Sequence, residues 1–341
     1  MKVVTYMMAS WLAFVLCRRP ERARRLLDAL ILIGAVYAAY AFAMAVLGVK
    51  QLELFYSTSP EGSSPLAAPF VTHAAFATFT GMVLLCTLAR LFSLGIENIN
   101  TARGIRPLFL STLKFGFGRG TPLLIATIVL FSMLVASASR AGFLATMVGA
   151  LTLLLVSTAI ATSRPLSKWT VATIVSMAIV AIALFLLNGA VLQRGFDELA
   201  ENNATLDLRS VLWRAAAQMA SDAWLTGIGL GNFEHAYPLY ADHIYPFNMD
   251  KAHNDFVELA AGWGIAATAL WLSALLWLVV QCGLGVVRRR RNRIFPLVAI
   301  GTSALVAFHA MFDFTLQIPA VAITYAVFLG LGVSQSFSTR A

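Results

Sequence analysis

Apolar residues gather in long runs separated by short polar breaks, and most runs approach the ~20 residues that carry a helix across a bilayer. The runs lie at about 3–17, 27–48, 71–93, 121–138, 142–162, 169–187, 257–281, 294–312 and 319–334. Lipid leaves open strand edges unsatisfied, and the alternating pattern of a barrel is absent. The pattern therefore predicts an all-α, polytopic membrane helical bundle of about nine transmembrane helices, a single integral membrane domain over residues 1–341.

Against this background one polar stretch stands out. The segment 188–256 is expected to be a long loop between the sixth and seventh spans, with short amphipathic helices of its own. In 209–224 the pairs Val211/Leu212, Ala215/Ala216, Met219/Ala220 and Ala223/Trp224 recur every four residues on one face, while Arg214, Gln218 and Ser221 fall on another. Arg209 opens this helix, and Asp207 is placed to cap it. Gly227, Gly229 and Gly231 follow. A helix and not a strand precedes them, so a nucleotide loop is excluded and a turn bringing backbones close is expected.

Composition supports the class. Of 341 residues 59% are hydrophobic and 12% charged, against roughly 25% charged in soluble domains. The formal charge of +9 does not point to nucleic acid, because the basic residues are spread over many separate loops. With 18–26 placed in the cytoplasm, about 18 of the 25 Lys and Arg fall on that side, and all but Glu21, Asp28 and Glu97 among the 16 acids fall on the other. The 188–256 loop is then external. The first run is short, and arginines follow it where a signal peptide would have a small-residue cleavage site. It is read as a span, which puts the N-terminus outside, and further spans are expected upstream of Met1. Cys17, Cys86 and Cys282 lie inside apolar runs, without metal-ligand or disulfide spacing, and are read as core residues.

Chemistry must then come from a few polar residues near the outer side. Arg140, in a tight turn between the fourth and fifth runs, is either a snorkelling interface anchor or an anion clamp, since its planar fork pairs two phosphate oxygens at once. His253 sits at the mouth of the seventh run with Asn254, Asp255 and Glu258 beside it, and is either a hydrogen-bonded structural group or a proton acceptor. Asp313 requires a partner at its depth, with His309 or an arginine of the long loop as candidates. No HExxH spacing occurs, so no metal site is predicted.

Taken in order, Ser137-x-Ser139-Arg140-x-Gly142, Arg209-x-x-x-Trp213, Gly227-x-Gly229-x-Gly231-x-Phe233, Ala252-His253-Asn254-Asp255-Phe256-x-Glu258 and Asp313-Phe314-x-x-Gln317-x-Pro319 resemble the O-antigen ligase and O-antigen polymerase superfamily over roughly 120–335. The resemblance implies a metal-independent, inverting glycosyltransferase without cofactor, in the bacterial inner membrane with its active face periplasmic. It would take a glycan from an undecaprenyl-pyrophosphate donor and pass it to lipid A–core, to a lipid-linked glycan, or to a protein hydroxyl. It further implies that Arg140 and Arg209 grip the pyrophosphate and that His253 acts on the acceptor hydroxyl. Arg214, Asn254, Glu258 and Asp313 are candidate substrate-binding residues. Membrane lipids are expected partners, and nucleic acid is not. The alternative from another class is a transporter or flippase of a lipid-linked anionic substrate. It would place its charges at the midplane, usually within internal repeats, and no repeat is found.

Overall fold

A computed structural model describes residues 2–47, 70, 72–99, 118, 120–160, 204–241, 249–289 and 291–337. Among them every regular element is helical. In chain order these are α1 (Lys2–Leu16), α2 (Pro20–Val46), α3 (His73–Ile99), α4 (Thr121–Ala136), α5 (Arg140–Ile160), α6 (Ala204–Asp222), α7 (Phe233–Tyr240), α8 (Asp255–Trp263), α9 (Ile265–Arg288), α10 (Ile294–Ala310), a 3-10 turn at Thr315–Gln317, and α11 (Pro319–Ser334). The run at 169–187 lies outside the described residues.

Within α2, α3, α5 and α9 are stretches long and apolar enough to cross a membrane, and α1, α4, α10 and α11 are shorter apolar helices. Large apolar side chains such as Leu32, Ile33, Leu270 and Trp277 are exposed. In water such a surface would be costly; in a multi-pass membrane protein lipid covers it.

The chain forms two compact units, the first comprising 1–165, 281–305 and 323–341 and the second 166–280 and 306–322. In the first, α3 packs against α2, α4 and α5, with Phe76, Met82 and Leu85 fully buried. Small residues set these approaches: a Cβ on Gly34 would lie 2.5 Å from Val83, and one on Gly149 would lie 2.8 Å from the Gly301 carbonyl. Buried hydroxyls bond back to their own helices, Thr78 to the Ala74 carbonyl at 2.9 Å and Thr146 to that of Gly142 at 2.8 Å. An apolar medium demands such internal satisfaction.

The second unit is organised on α6. Its apolar face, Leu212, Ala215, Ala216 and Met219, packs with Phe233 and Tyr237 of α7, with Ala252, and with Ala261 of α8. The four-residue spacing in the sequence thus reports a packed face, not one resting on lipid. Asp207 falls inside the helix and not at its cap, because α6 begins at Ala204.

The expected seventh span, 257–281, is divided. The chain breaks at Gly264, whose φ of 83° is open to glycine and strained for other residues. The 224–229 segment crosses there: the Ile265 N–H donates to the Trp224 carbonyl at 2.7 Å, and the Ile228 and Gly229 N–H groups donate to the Ala261 and Gly262 carbonyls at 2.9 and 3.0 Å. The last two bonds use carbonyls that the end of α8 would leave without partners.

Candidate functional site

The polar residues of the second unit converge where α8 begins. Asn254 is the N-cap, and its side-chain oxygen accepts from the Phe256 and Val257 N–H groups at 3.0 and 3.2 Å. Immediately before it, His253 has φ 51°, in the left-handed region. Histidine visits that region more readily than most residues, at some cost in strain. The turn directs the imidazole Nδ1 to within 3.5 Å of Asp313 Oδ1, an ion-pair distance once the ring is protonated. The ring also meets Phe314 edge-on at 5.1 Å between centroids.

Asp313 follows the end of α10 and accepts the Phe314 N–H at 2.8 Å. Burial raises its carboxyl, but the His253 imidazole beside it, the Phe314 N–H and the nearby His309 together hold it below the usual carboxylate range. The partner in contact with this acid is the His253 imidazole, which was not among those expected; of the expected partners, His309 acts on it only through its nearby charge.

Two further carboxylates brace the turn. Glu258, one helical turn into α8, accepts the Ala252 N–H at 2.8 Å and pairs with Lys251 at 3.5 Å. Asp255, the first residue of α8, accepts the Leu316 N–H at 2.9 Å and the Gln317 side-chain N–H at 3.2 Å. Burial pushes its carboxyl to about 7; the two donors oppose this, and the charges of Glu258 and Asp313 add to it. Asp255 was not among the candidate site residues. An acid in the first turn of a helix reads as a favourable partner for the helix dipole, and its bonds sixty residues away leave no local trace.

The other candidates are placed as follows. Arg209 is half-buried on α6, and Arg214 is exposed, its Nε donating to the Ser210 carbonyl at 3.3 Å. Asn254 and Glu258, expected at a substrate, have oxygens engaged by the turn itself. Arg140 lies in the first unit, exposed at the first position of α5. It follows a turn in which Ala138 has φ 52° and Ser139 caps the helix by accepting the Gly142 N–H at 3.1 Å. Among the described residues, no group of three or more His, Cys, Asp or Glu side chains is placed to hold a metal ion.

At the start of α8 the imidazole thus meets one carboxylate, Asp313, while Glu258 and Asp255 tie down the adjoining chain. Residues 125–272 match the O-antigen ligase family. The matched region runs from α4 into α9 and contains Arg140, Arg209, Arg214, His253, Asn254 and Glu258; Asp313 lies beyond it. The match covers less than half of the chain and supports a likeness to the O-antigen ligase and polymerase superfamily. No curated protein matches the chain.

Proposed function

We propose that this protein transfers a glycan from an undecaprenyl-pyrophosphate donor to an acceptor hydroxyl at the periplasmic face of the bacterial inner membrane, in assembly of cell-surface polysaccharide. The observation that carries this is the pairing of His253 with Asp313, together with the match of the chain around His253 to O-antigen ligases. His253 Nδ1 faces Asp313, and Nε2 takes the proton of the acceptor hydroxyl. The acceptor oxygen attacks the anomeric carbon, the bond from that carbon to the pyrophosphate oxygen breaks with inversion, and undecaprenyl pyrophosphate leaves. Asp313 stabilises the imidazolium that forms. Arg140 and Arg209 bind the pyrophosphate and offset the charge that grows on it as it departs, with Arg214 contributing to donor binding. The donor arrives activated, so neither nucleotide nor metal enters the reaction.

Reconstituted protein, supplied with lipid-linked glycan and with lipid A–core, a second lipid-linked glycan or an acceptor protein, should form a glycosylated product with at least one of them, and a chelator should leave the rate unchanged. Transmembrane movement of the donor with no product from any acceptor would contradict the proposal and favour the transporter.

A further inference from the structure

The proposed chemistry gives Asp255 no task, yet it is 7% exposed, with both carboxyl oxygens engaged. Its bonds reach Leu316 and Gln317, in the turn that directly follows Asp313 and Phe314. Two short arms of chain, 253–255 and 313–317, therefore touch at both ends. At one end His253 meets Asp313 and Phe314; at the other Asp255 meets Leu316 and Gln317. Neither arm is regular helix throughout, and His253 holds a strained φ, so nothing within the arms fixes the distance between imidazole and carboxylate. The far-end bonds do.

We propose that Asp255 is a positioning residue: it latches the 3-10 turn onto the start of α8 and thereby sets the seat of His253 against Asp313. This rests on His253 being the proton acceptor of the transfer, and it deepens that assignment by supplying what aims the ring.

The surroundings favour a neutral latch. The charges that act on it are acidic: Glu258 on its own helix, already paired with Lys251, and Asp313 on the other arm, itself beside His253 and near His309. The face of α6 that packs with Ala252 and Ala261 is apolar, and Arg214 is exposed. With its carboxyl titrating at about 7, the closed latch binds a proton that an opened, hydrated Asp255 would release. By linkage, protonation holds the latch shut and a rise in pH through 7 loosens it. When neutral, the carboxyl accepts from Leu316 with one oxygen and, once the Gln317 amide turns over, donates to that amide with the other. Asparagine reproduces this arrangement and has no proton to lose.

The test reads His253 directly, by its rate of modification with diethyl pyrocarbonate in the full-length protein in detergent, followed by peptide mass spectrometry. Asp255→Ala and Gln317→Ala should each raise the rate severalfold, the double variant no further than either alone, and Asp255→Asn should keep the rate at or below the wild-type value. The ratio of wild-type to Asp255→Asn rates should rise severalfold between about pH 6 and about pH 8, a comparison in which the intrinsic titration of the imidazole cancels. In the transfer assay, Asp255→Ala should lower kcat about tenfold with KM for the donor unchanged, as expected when one charge-assisted bond that aims a reacting group is lost. Should Asp255→Ala fail to accumulate, Gln317→Ala carries the same test. Unchanged His253 modification in the alanine variants, or a ratio that stays flat with pH, would overturn the latch. These readings need no transfer, so they stand or fall separately from the glycosyltransferase assignment, which His253→Ala tests.

Discussion

At 137–140 and again at 252–255 the chain turns through a non-glycine residue in the left-handed region, Ala138 at φ 52° and His253 at φ 51°, and then enters a helix through a polar N-cap. Each turn brings a basic side chain beside a helix N-terminus, where the dipole disfavours positive charge. The first does so with bonds among near neighbours: Ser137 Oγ to the Leu134 carbonyl at 2.7 Å, and Gly142 N–H to Ser139 Oγ at 3.1 Å. The second adds ties from far along the chain, through Asp313, Leu316 and Gln317. A guanidinium, whose charge is constant and whose fork tolerates some freedom, can be presented without a closely fixed aim. An imidazole that must pass a proton needs its ring aimed and its charge balanced, and that requires carboxylates from elsewhere.

The contrast can be broken most severely at the crossing beneath the second turn. Gly264→Ala places a Cβ 2.7 Å from the Leu225 backbone, at a φ alanine resists. It should cost at least ~3 kcal/mol, read as a large drop in thermal stability in detergent. Gly231→Ala, where a Cβ meets nothing within 4 Å, should cost ~1 kcal/mol.

Next in size is pH. Burial raises the folded-state value of Asp255 to about 7, well above the ordinary carboxylate value of 3.8. The stability it contributes is therefore full at low pH and is lost as pH rises from about 4 through 7, on the order of a few kcal/mol. Asp313, held low, acts oppositely: its contribution is present above the ordinary carboxylate range and is lost as pH falls below it. Thermal melts across pH should show both limbs, and Asp255→Asn should flatten only the upper one.

Smaller effects separate the caps. Asn254→Ala removes two bonds and should cost ~1–2 kcal/mol, whereas Ser139→Ala removes one and should cost ~0.5–1 kcal/mol. Smallest is Ala138→Gly, which relieves strain and should stabilise by ~0.5–1 kcal/mol with transfer unchanged. His253→Gly relieves the same strain but should abolish transfer. A gain of activity from either substitution would break the parallel between the turns.

Apolar runs made most of the helices legible, because lipid-facing and core-facing helices are apolar alike. For the same reason they hid the break at Gly264: an apolar run looks the same whether continuous or kinked, and the strand of loop that crosses there comes from forty residues upstream. His253, Arg209 and Asp313 stood out as polar residues in an apolar chain. Asn254 and Glu258 were visible too, but spacing cannot distinguish a side chain that awaits a ligand from one that caps a helix or braces a backbone N–H. Asp255 escaped because both of its partners lie more than sixty residues away, one of them a backbone amide that any residue at 316 except proline would supply.

The most direct measurement is the single-turnover rate of glycan transfer by purified His253→Ala with saturating lipid-linked donor and acceptor, alongside donor affinity. The rate should fall about a thousandfold, within the range for loss of a general base, while donor affinity stays at the wild-type value. Transfer at the wild-type rate, or a collapse of donor binding, would show that His253 does not handle the acceptor's proton.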